Sequence, residues 1–156
     1  MDINFESISK NIRQKAYPKI GSGSGRVVFD LGNGYVVKVA KNRKGIEQNK
    51  AEHQISDMED WRIFAKVIAH SEDFSLLIME KARRLSSFRE IWSYYHVQNN
   101  KQLFSSKEFQ SNLIKYDLLT ADLNRLSSWG IIDGKPVIID YGFTSKVMKF
   151  YRIRLF

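Results

Sequence analysis

Asp140 ends an apolar run in "VIIDYGFTSK", residues 137–146. A carboxylate placed by a buried strand can hold a divalent cation, although Asp and Gly after a Val/Ile run are also ordinary turn chemistry. The cation reading requires partners, and three candidates stand elsewhere in the chain. Asp122, in "LLTADLNRLSSWG", lies eighteen residues earlier. Two carboxylates flanking a hairpin can face one cleft, one orienting a hydroxyl and the other carrying the metal. Lys38, in "YVVKVA", is a lysine among valines, costly to bury unless something anionic receives it. An acid on the following helix, Glu52 first and Glu47 second, is placed to hold that ammonium. Ahead of these, Gly21, Gly23 and Gly25 alternate with Ser22 and Ser24, giving a backbone able to press its N–H groups against phosphate oxygens. A glycine cluster alone is equally a flexible turn; a strand lysine following it makes the pair coherent.

The elements that must position these residues follow from pattern. Residues 4–16 suit a short amphipathic helix ending before Pro18. Residues 20–42 read as a β-hairpin, with Val27 to Phe29 on one strand, Gly32-Asn33-Gly34 as the turn, and Tyr35 to Ala40 on the other. Residues 43–60 have helical composition. Residues 62–80 suggest two strands split by "SEDFS", the second, "LLIMEKA", reading as an apolar edge strand that runs into a polar connection. Residues 86–121 are helical in pattern, and "WGIIDGKPVIID" is a hairpin around Asp133-Gly134. Strands and one helix, then helices, then a hairpin predict an α+β fold.

Bulk properties bound the reading. A chain of 156 residues with 43% hydrophobic and 13% aromatic content is one globular domain with a proper core. The absence of cysteine excludes disulfides and thiolate metal sites and suits a reducing cytoplasm. The acidic start "MDINFESISK" is not a secretory signal, and no apolar stretch approaches bilayer length. The net charge of +8 favours polyanionic partners: nucleotide, nucleic acid or an acidic protein face. No recognition motif accompanies the charge, so nucleic acid is the weakest of the three. His53, His70 and His96 are scattered without ligand spacing, and Trp61, Trp92 and Trp129 read as core anchors.

In their order, these pieces resemble the protein-kinase-like superfamily over roughly residues 19–145. "GSGSGRVV" resembles the glycine-rich loop, one residue shorter than the usual pattern. "VVKVA" resembles the strand of the nucleotide lysine, "IMEKA" the hinge, and "DYG" the Asp-Phe-Gly motif, with Asp122 at the catalytic aspartate by spacing. The resemblance implies a β-rich N-lobe, an antiparallel sheet plus one helix, over about residues 18–83. A severely reduced helical C-lobe would follow over about 84–156. It implies ATP and magnesium as cofactors. Gly21, Ser22, Gly23, Ser24, Gly25 and Val28 would line the nucleotide, with Met79 as gatekeeper and Glu80 and Ala82 along the hinge. Lys38 and Glu52 would hold the phosphates, Asp140 the magnesium, and Asp122 the acceptor hydroxyl. The chain departs from the pattern too. Thr120 and Ala121 replace the His-Arg before Asp122, and Ser127 occupies the second metal position, with Asn124 out of register. Only fourteen residues follow Gly142, which leaves no room for an activation segment. The resemblance is to a truncated kinase fold of the kind found in phages and bacterial pathogens.

Two functions are compatible with this pattern. One is a minimal cytoplasmic phosphotransferase acting on Ser or Thr of a protein. The other is a pseudokinase that binds a protein partner. The tail "SKVMKFYRIRLF" suggests a helix capped by Thr144 or Ser145, with Val147, Phe150, Tyr151 and Leu155 near one face. Either that face seals the helical half, or the basic segment docks an acidic partner.

Overall fold

The computed structural model describes residues 2–58 and 62–154. Trp61, Leu155 and the end of the helix expected over 43–60 lie outside the described residues, as do the side chains of Phe150 and Tyr151.

The chain opens with α1 (Phe5–Arg13), then β1 (Lys19–Ser22), β2 (Arg26–Asp30) and β3 (Tyr35–Ala40), followed by α2 (Arg43–Asp57). Strands β4 (Val67–His70) and β5 (Leu76–Glu80) complete a five-stranded sheet of order β1-β2-β3-β5-β4, antiparallel throughout. Helices α3 (Arg89–Tyr95), α4 (Asn100–Ser105), α5 (Lys107–Lys115) and α6 (Thr120–Leu123) follow. A 3₁₀ turn (Leu126–Ser128), the hairpin β6 (Trp129–Ile132) and β7 (Lys135–Ile138), and α7 (Ser145–Arg154) close the order. This is the α+β architecture expected, an antiparallel sheet with one helix against a small helical half.

Local chemistry explains most boundaries. Asn4 caps α1 by accepting from Ser7 N–H at 3.0 Å, with Glu6 in the first turn and Lys10 and Arg13 in the last, complementing the helix dipole. Asn42 caps α2 the same way, accepting from Gly45 N–H at 3.1 Å. Asp133 and Gly134 both have positive φ, 51° and 75°, as the tight hairpin turn between β6 and β7 requires. Residues 86–121 are not one continuous helical stretch, because the sequence carries its own stops. His96 ends α3 in the left-handed region, while Asn99 caps α4 and Ser106 caps α5.

Two differences from the sequence expectation concern the sheet. Strand β1 was read as part of a glycine loop, yet it pairs with β2 from Lys19 to Ser22. The segment "LLIMEKA" is not an edge strand. β5 lies between β3 and β4, and its run Leu76 to Met79 is buried on both faces, which is why it is continuously apolar rather than alternating. The edge on that side is β4, whose residues are mostly half-exposed.

The sheet has two apolar faces. Val37, Leu76 and Ile78 pack outward against Ile8 of α1, with Phe5, Ile12, Phe29 and Val39 around them. Val36, Leu77 and Met79 face inward, joining a core that runs through Ile55 and Phe64 to Leu103, Phe109, Trp129 and Ile138. Phe64 bridges to Ile138, and Arg83 to Ile131, so the β6–β7 hairpin is stitched to the chain on both sides of the sheet–helix junction.

Helix α7 is fixed at its start. Thr144 Oγ1 accepts from Val147 N–H at 3.2 Å, so Thr144 is the cap. The Asp117 carboxylate accepts from Lys146 N–H at 2.9 Å and from the Ser145 hydroxyl, and Asp117 C=O accepts from Ser145 N–H at 3.3 Å. Thr144 and Val147 are buried, which favours the sealing role for the start of this segment. Asp117→Ala is expected to cost about 1–2 kcal/mol, the scale of a lost cap. In thermal melts this is a fall of roughly 2–8 °C for a chain of this size; an unchanged melting temperature would mean that α7 holds without the Asp117 anchor.

Candidate functional site

The register of β2 and β3 sets the site. Val28 lies opposite Lys38 and Arg26 opposite Ala40, so Arg26, Val28 and Lys38 share the face that α2 covers. On α2 the buried positions Gly45, Asn49, Glu52 and Ile55 recur at helical spacing and form the face that meets the sheet.

Glu52 has 0% exposure. Lys38 Nζ donates to its two oxygens at 2.8 and 2.9 Å. Arg26 Nη2 donates to Oε2 at 3.3 Å, and Arg26 Nη1 pairs closely with Oε1. Tyr141 N–H donates to Oε2 at 2.9 Å. Lys38 also reaches the C=O of Ile139 at 2.5 Å. Arg26 continues outward, donating from Nη1 to Asn49 Oδ1 and from Nη2 to Asp140 Oδ1, both at 3.0 Å. Asp140 is the open member of the cluster, its side chain 53% exposed, and Oδ2 accepts no hydrogen bond among the described residues.

Burial opposes the charge on Glu52, but Arg26 and Lys38 overcome it and hold the carboxyl down at about 2. Burial pulls Lys38 below the ordinary lysine value; Glu52 works against that and Arg26 adds to it. For Arg26 burial is again the largest influence, but Glu52 and Asp140 outweigh it and the guanidinium is held more firmly charged.

Asp122 sits half-buried in α6, near enough to Asp140 for the two charges to interact. Burial raises its carboxyl above the ordinary value, and the charge of Asp140 raises it further. Ser128 joins the two segments: its C=O accepts from Ile139 N–H at 2.8 Å and Asp140 N–H at 3.4 Å, while its hydroxyl donates to Asp122 C=O at 2.8 Å. Ser127, the residue singled out from sequence as a metal ligand, is exposed and makes no side-chain hydrogen bond among the described residues. Its neighbour connects the two aspartates instead, because a 3₁₀ turn points successive side chains about a third of a turn apart.

The glycine-rich turn lies between β1 and β2. Lys41 Nζ donates to Ser22 Oγ at 2.8 Å and Gly23 C=O at 2.7 Å, Asn42 Nδ2 donates to Ser24 C=O at 3.0 Å, and Lys44 Nζ donates to Ser24 Oγ at 2.6 Å. Gly25 C=O accepts from Lys41 N–H at 2.8 Å, and Gly21 lies opposite Val28. The turn therefore rests on the start of α2. Met79 is buried, 1% exposed, and lies opposite Val36 of β3. Glu80 is turned to β4, where its carboxylate accepts from Lys66 N–H at 3.2 Å. Ala82 follows, its N–H and C=O making no hydrogen bond among the described residues. Arg84 closes this side by donating to Ile20 C=O. Past Asp140, Gly142 lies directly against α2: a Cβ there would stand 2.5 Å from Gln48 C=O, so only glycine fits.

Sequence reasoning missed Arg26 and Asn49. The available signal was register: a charged residue two before Val28 shares the face of Lys38 once β2 and β3 are paired. The histidines also differ from their reading as scattered, since His53 and His70 meet with ring centroids 4.4 Å apart and His70 stacks on Phe74. No group of three or more metal-binding His, Cys, Asp or Glu side chains occurs among the described residues, nor is any helix among them long and apolar enough to cross a membrane.

The donor set fits a nucleotide phosphate with a hard cation. A partly exposed carboxylate with one free oxygen stands near a second carboxyl, whose proton affinity is raised first by burial and then by the charge of the other, and a cation bound there would relieve that repulsion. The buried Lys38 ammonium reaches the backbone C=O of Ile139, next to Asp140.

No protein-family model matches the chain, and no curated protein matches it. Among solved structures it is similar to APH(2″)-IIa in a ternary complex with streptomycin and ATP. The identity there is 16%, over 91% of this chain and 72% of that one, with a TM-score of 0.49. For the gentamicin complex of APH(2″)-IIa the identity is 16%, the coverage 91% and 71%, and the TM-score 0.44.

Two outcomes follow from the electrostatics. The folded value of Glu52, about 2, lies below its ordinary 4.5, so its contribution to stability is complete above about pH 4.5 and is lost as the pH falls towards 2. Glu52→Gln leaves two buried cations without their anion and is expected to cost about 3–5 kcal/mol at neutral pH. Denaturant unfolding at several pH values should show the gap between wild type and variant closing across that window; a gap independent of pH would refute the assignment. For Asp122, carboxyl NMR should find titration above the ordinary aspartate value, and Asp140→Asn should move it down. An Asp122 titration unaffected by Asp140→Asn would mean that the two carboxyls do not share a cleft.

Proposed function

We propose that the chain is a minimal ATP-dependent phosphotransferase acting on a hydroxyl, with Ser or Thr of a protein as the acceptor. What carries the reading is the convergence of Lys38, Glu52 and Asp140 from β3, α2 and the β7 exit in one hydrogen-bonded cluster. Asp122 faces Asp140 from α6, and the glycine turn lies beside them.

Bound ATP would supply the phosphoryl group, and magnesium the positive charge against which it transfers. The rest is work for the chain's own residues. Lys38, fixed on Glu52, presents an ammonium to phosphate oxygens at a set height above β3. Asp140 offers Oδ2 to the cation. Asp122 accepts the proton of the acceptor hydroxyl, and its raised proton affinity brings it closer to that task than an ordinary aspartate. Gly21 to Gly25 and Val28 line the phosphate side, and Met79, Glu80 and Ala82 the adenine side. The free N–H and C=O of Ala82 suit a ring with donor and acceptor edges. The charge of +8 suits an acidic protein partner that presents the acceptor. The exposed position of Ser127 favours a second reading, a nucleotide-binding pseudokinase that captures a partner without turnover.

Thermal shift and phosphate transfer separate these. ATP with magnesium should raise the melting temperature of the wild type. Lys38→Ala should lose most of that shift while remaining folded, because Arg26 still compensates Glu52. With labelled ATP and an acidic generic protein rich in Ser and Thr, transfer should occur with the wild type and be lost in Asp122→Asn, which keeps nucleotide. Lys38→Ala with unchanged affinity would refute the lysine's role. A wild type that binds ATP but transfers nothing would favour the pseudokinase.

A further inference from the structure

Arg26 is the group that the proposed chemistry leaves unused. It is buried to 6% exposure, and its guanidinium spans three side chains: Asn49, Glu52 and Asp140. Glu52 would be compensated by Lys38 alone, so a second buried cation is not required there. Asn49 is itself fixed, donating from Nδ2 to Phe74 C=O at 2.8 Å. A planar guanidinium gripped by Asn49 and both oxygens of Glu52 has little freedom to swing away. Its remaining contact, Nη2 to Asp140 Oδ1, therefore sets the direction of that carboxylate.

We propose that Arg26 is a positioning residue for Asp140 and an internal counter-cation. It occupies Oδ1, leaves Oδ2 as the one oxygen that Asp140 offers, and so restricts the site to one divalent ion. The guanidinium holds the oxygen that a second divalent ion would need and supplies part of that charge permanently. This rests on the nucleotide-binding reading given above. The physical consequence is a trade. A cation approaching Asp140 meets a fixed positive charge and a carboxylate half taken, which weakens divalent binding to the protein alone. An anionic nucleotide approaching without metal meets one more positive charge, which strengthens metal-free binding.

The test uses the full chain and two probes, Mn2+ read by electron paramagnetic resonance and a fluorescent non-hydrolysable ATP analogue. The wild type and Arg26→Lys, which keeps the charge, should take up one Mn2+ per nucleotide complex. Arg26→Gln should take up two, and its metal-free affinity for the analogue should fall at least tenfold. Arg26→Gln with one ion and metal-free affinity within twofold of wild type would overturn the proposal and leave the arginine a packing residue. Should Arg26→Gln fail to fold, Asn49→Ala releases one side of the guanidinium with every charge in place. It should raise Mn2+ uptake, and no change would overturn the proposal. If the wild type binds no nucleotide at all, the function proposed above fails, but the arginine is still tested. Mn2+ alone should then bind Arg26→Gln at least tenfold more tightly than wild type, and Arg26→Gln/Asp140→Asn should revert. Equal Mn2+ affinities for wild type and Arg26→Gln would refute it there too.

Discussion

A carboxylate with no exposure must be compensated, and at Glu52 the compensation comes from three separate segments. Lys38 reaches it from β3, Arg26 from β2, and the Tyr141 N–H from the chain just beyond β7. An ion pair of this kind is weak evidence for stability, because desolvation takes back much of the attraction. Its value is geometric. Lys38 and Arg26 each pair with both oxygens of Glu52 and the Tyr141 N–H adds a third tie, so α2, the sheet and the β7 exit are held in one arrangement. The sequence separation makes this the contact on which the position of Asp140 depends, eighty-eight residues after Glu52.

The hairpin carries the other half of that position. Arg83 and Ile131 exchange backbone hydrogen bonds at 2.9 Å, and Ile138 is bonded on both sides, donating to Ile63 C=O at 2.7 Å and accepting from Ala65 N–H at 2.9 Å. The hairpin is thus pinned to the segment after β5 and to the segment before β4. Ser128 then couples the segment after β7, which carries Asp140, to α6, which carries Asp122. This short backbone bridge holds the two carboxyls near each other, against their own repulsion. Gly142 and the Asp117 anchor of α7 continue the theme, each fixing the chain after Asp140 by close contact rather than by a large apolar surface.

Much of this was legible in the linear sequence. Hairpin turns, helix caps and alternating apolar positions are local, and their chemistry acts within a few residues. That is why α1, the β2–β3 hairpin, the Asp133-Gly134 turn and the α+β class could all be read from the chain. Lys38 could be singled out because an isolated lysine among valines is conspicuous, and Glu52 because helical spacing placed it on the face towards the sheet. The stops at His96, Asn99 and Ser106 were equally local, but a composition that looked helical throughout obscured them.

What the tertiary structure alone decided is relational. Strand order cannot be read from β5 itself, since a continuous apolar run is compatible with any strand buried on both faces; only its pairing with β4 and β3 removed it from the edge. In the linear sequence Arg26 is only the residue after Gly25, and it is the strand register and the approach of α2 that enclose it between Asn49, Glu52 and Asp140. Ser128 rather than Ser127 meets the aspartates because the phase of one 3₁₀ turn is set by what it packs against. Periodicity reports which residues share a face of one element. Which faces meet depends on long-range closure, whose entropic cost is borne by the whole core, and nothing in a local pattern encodes it.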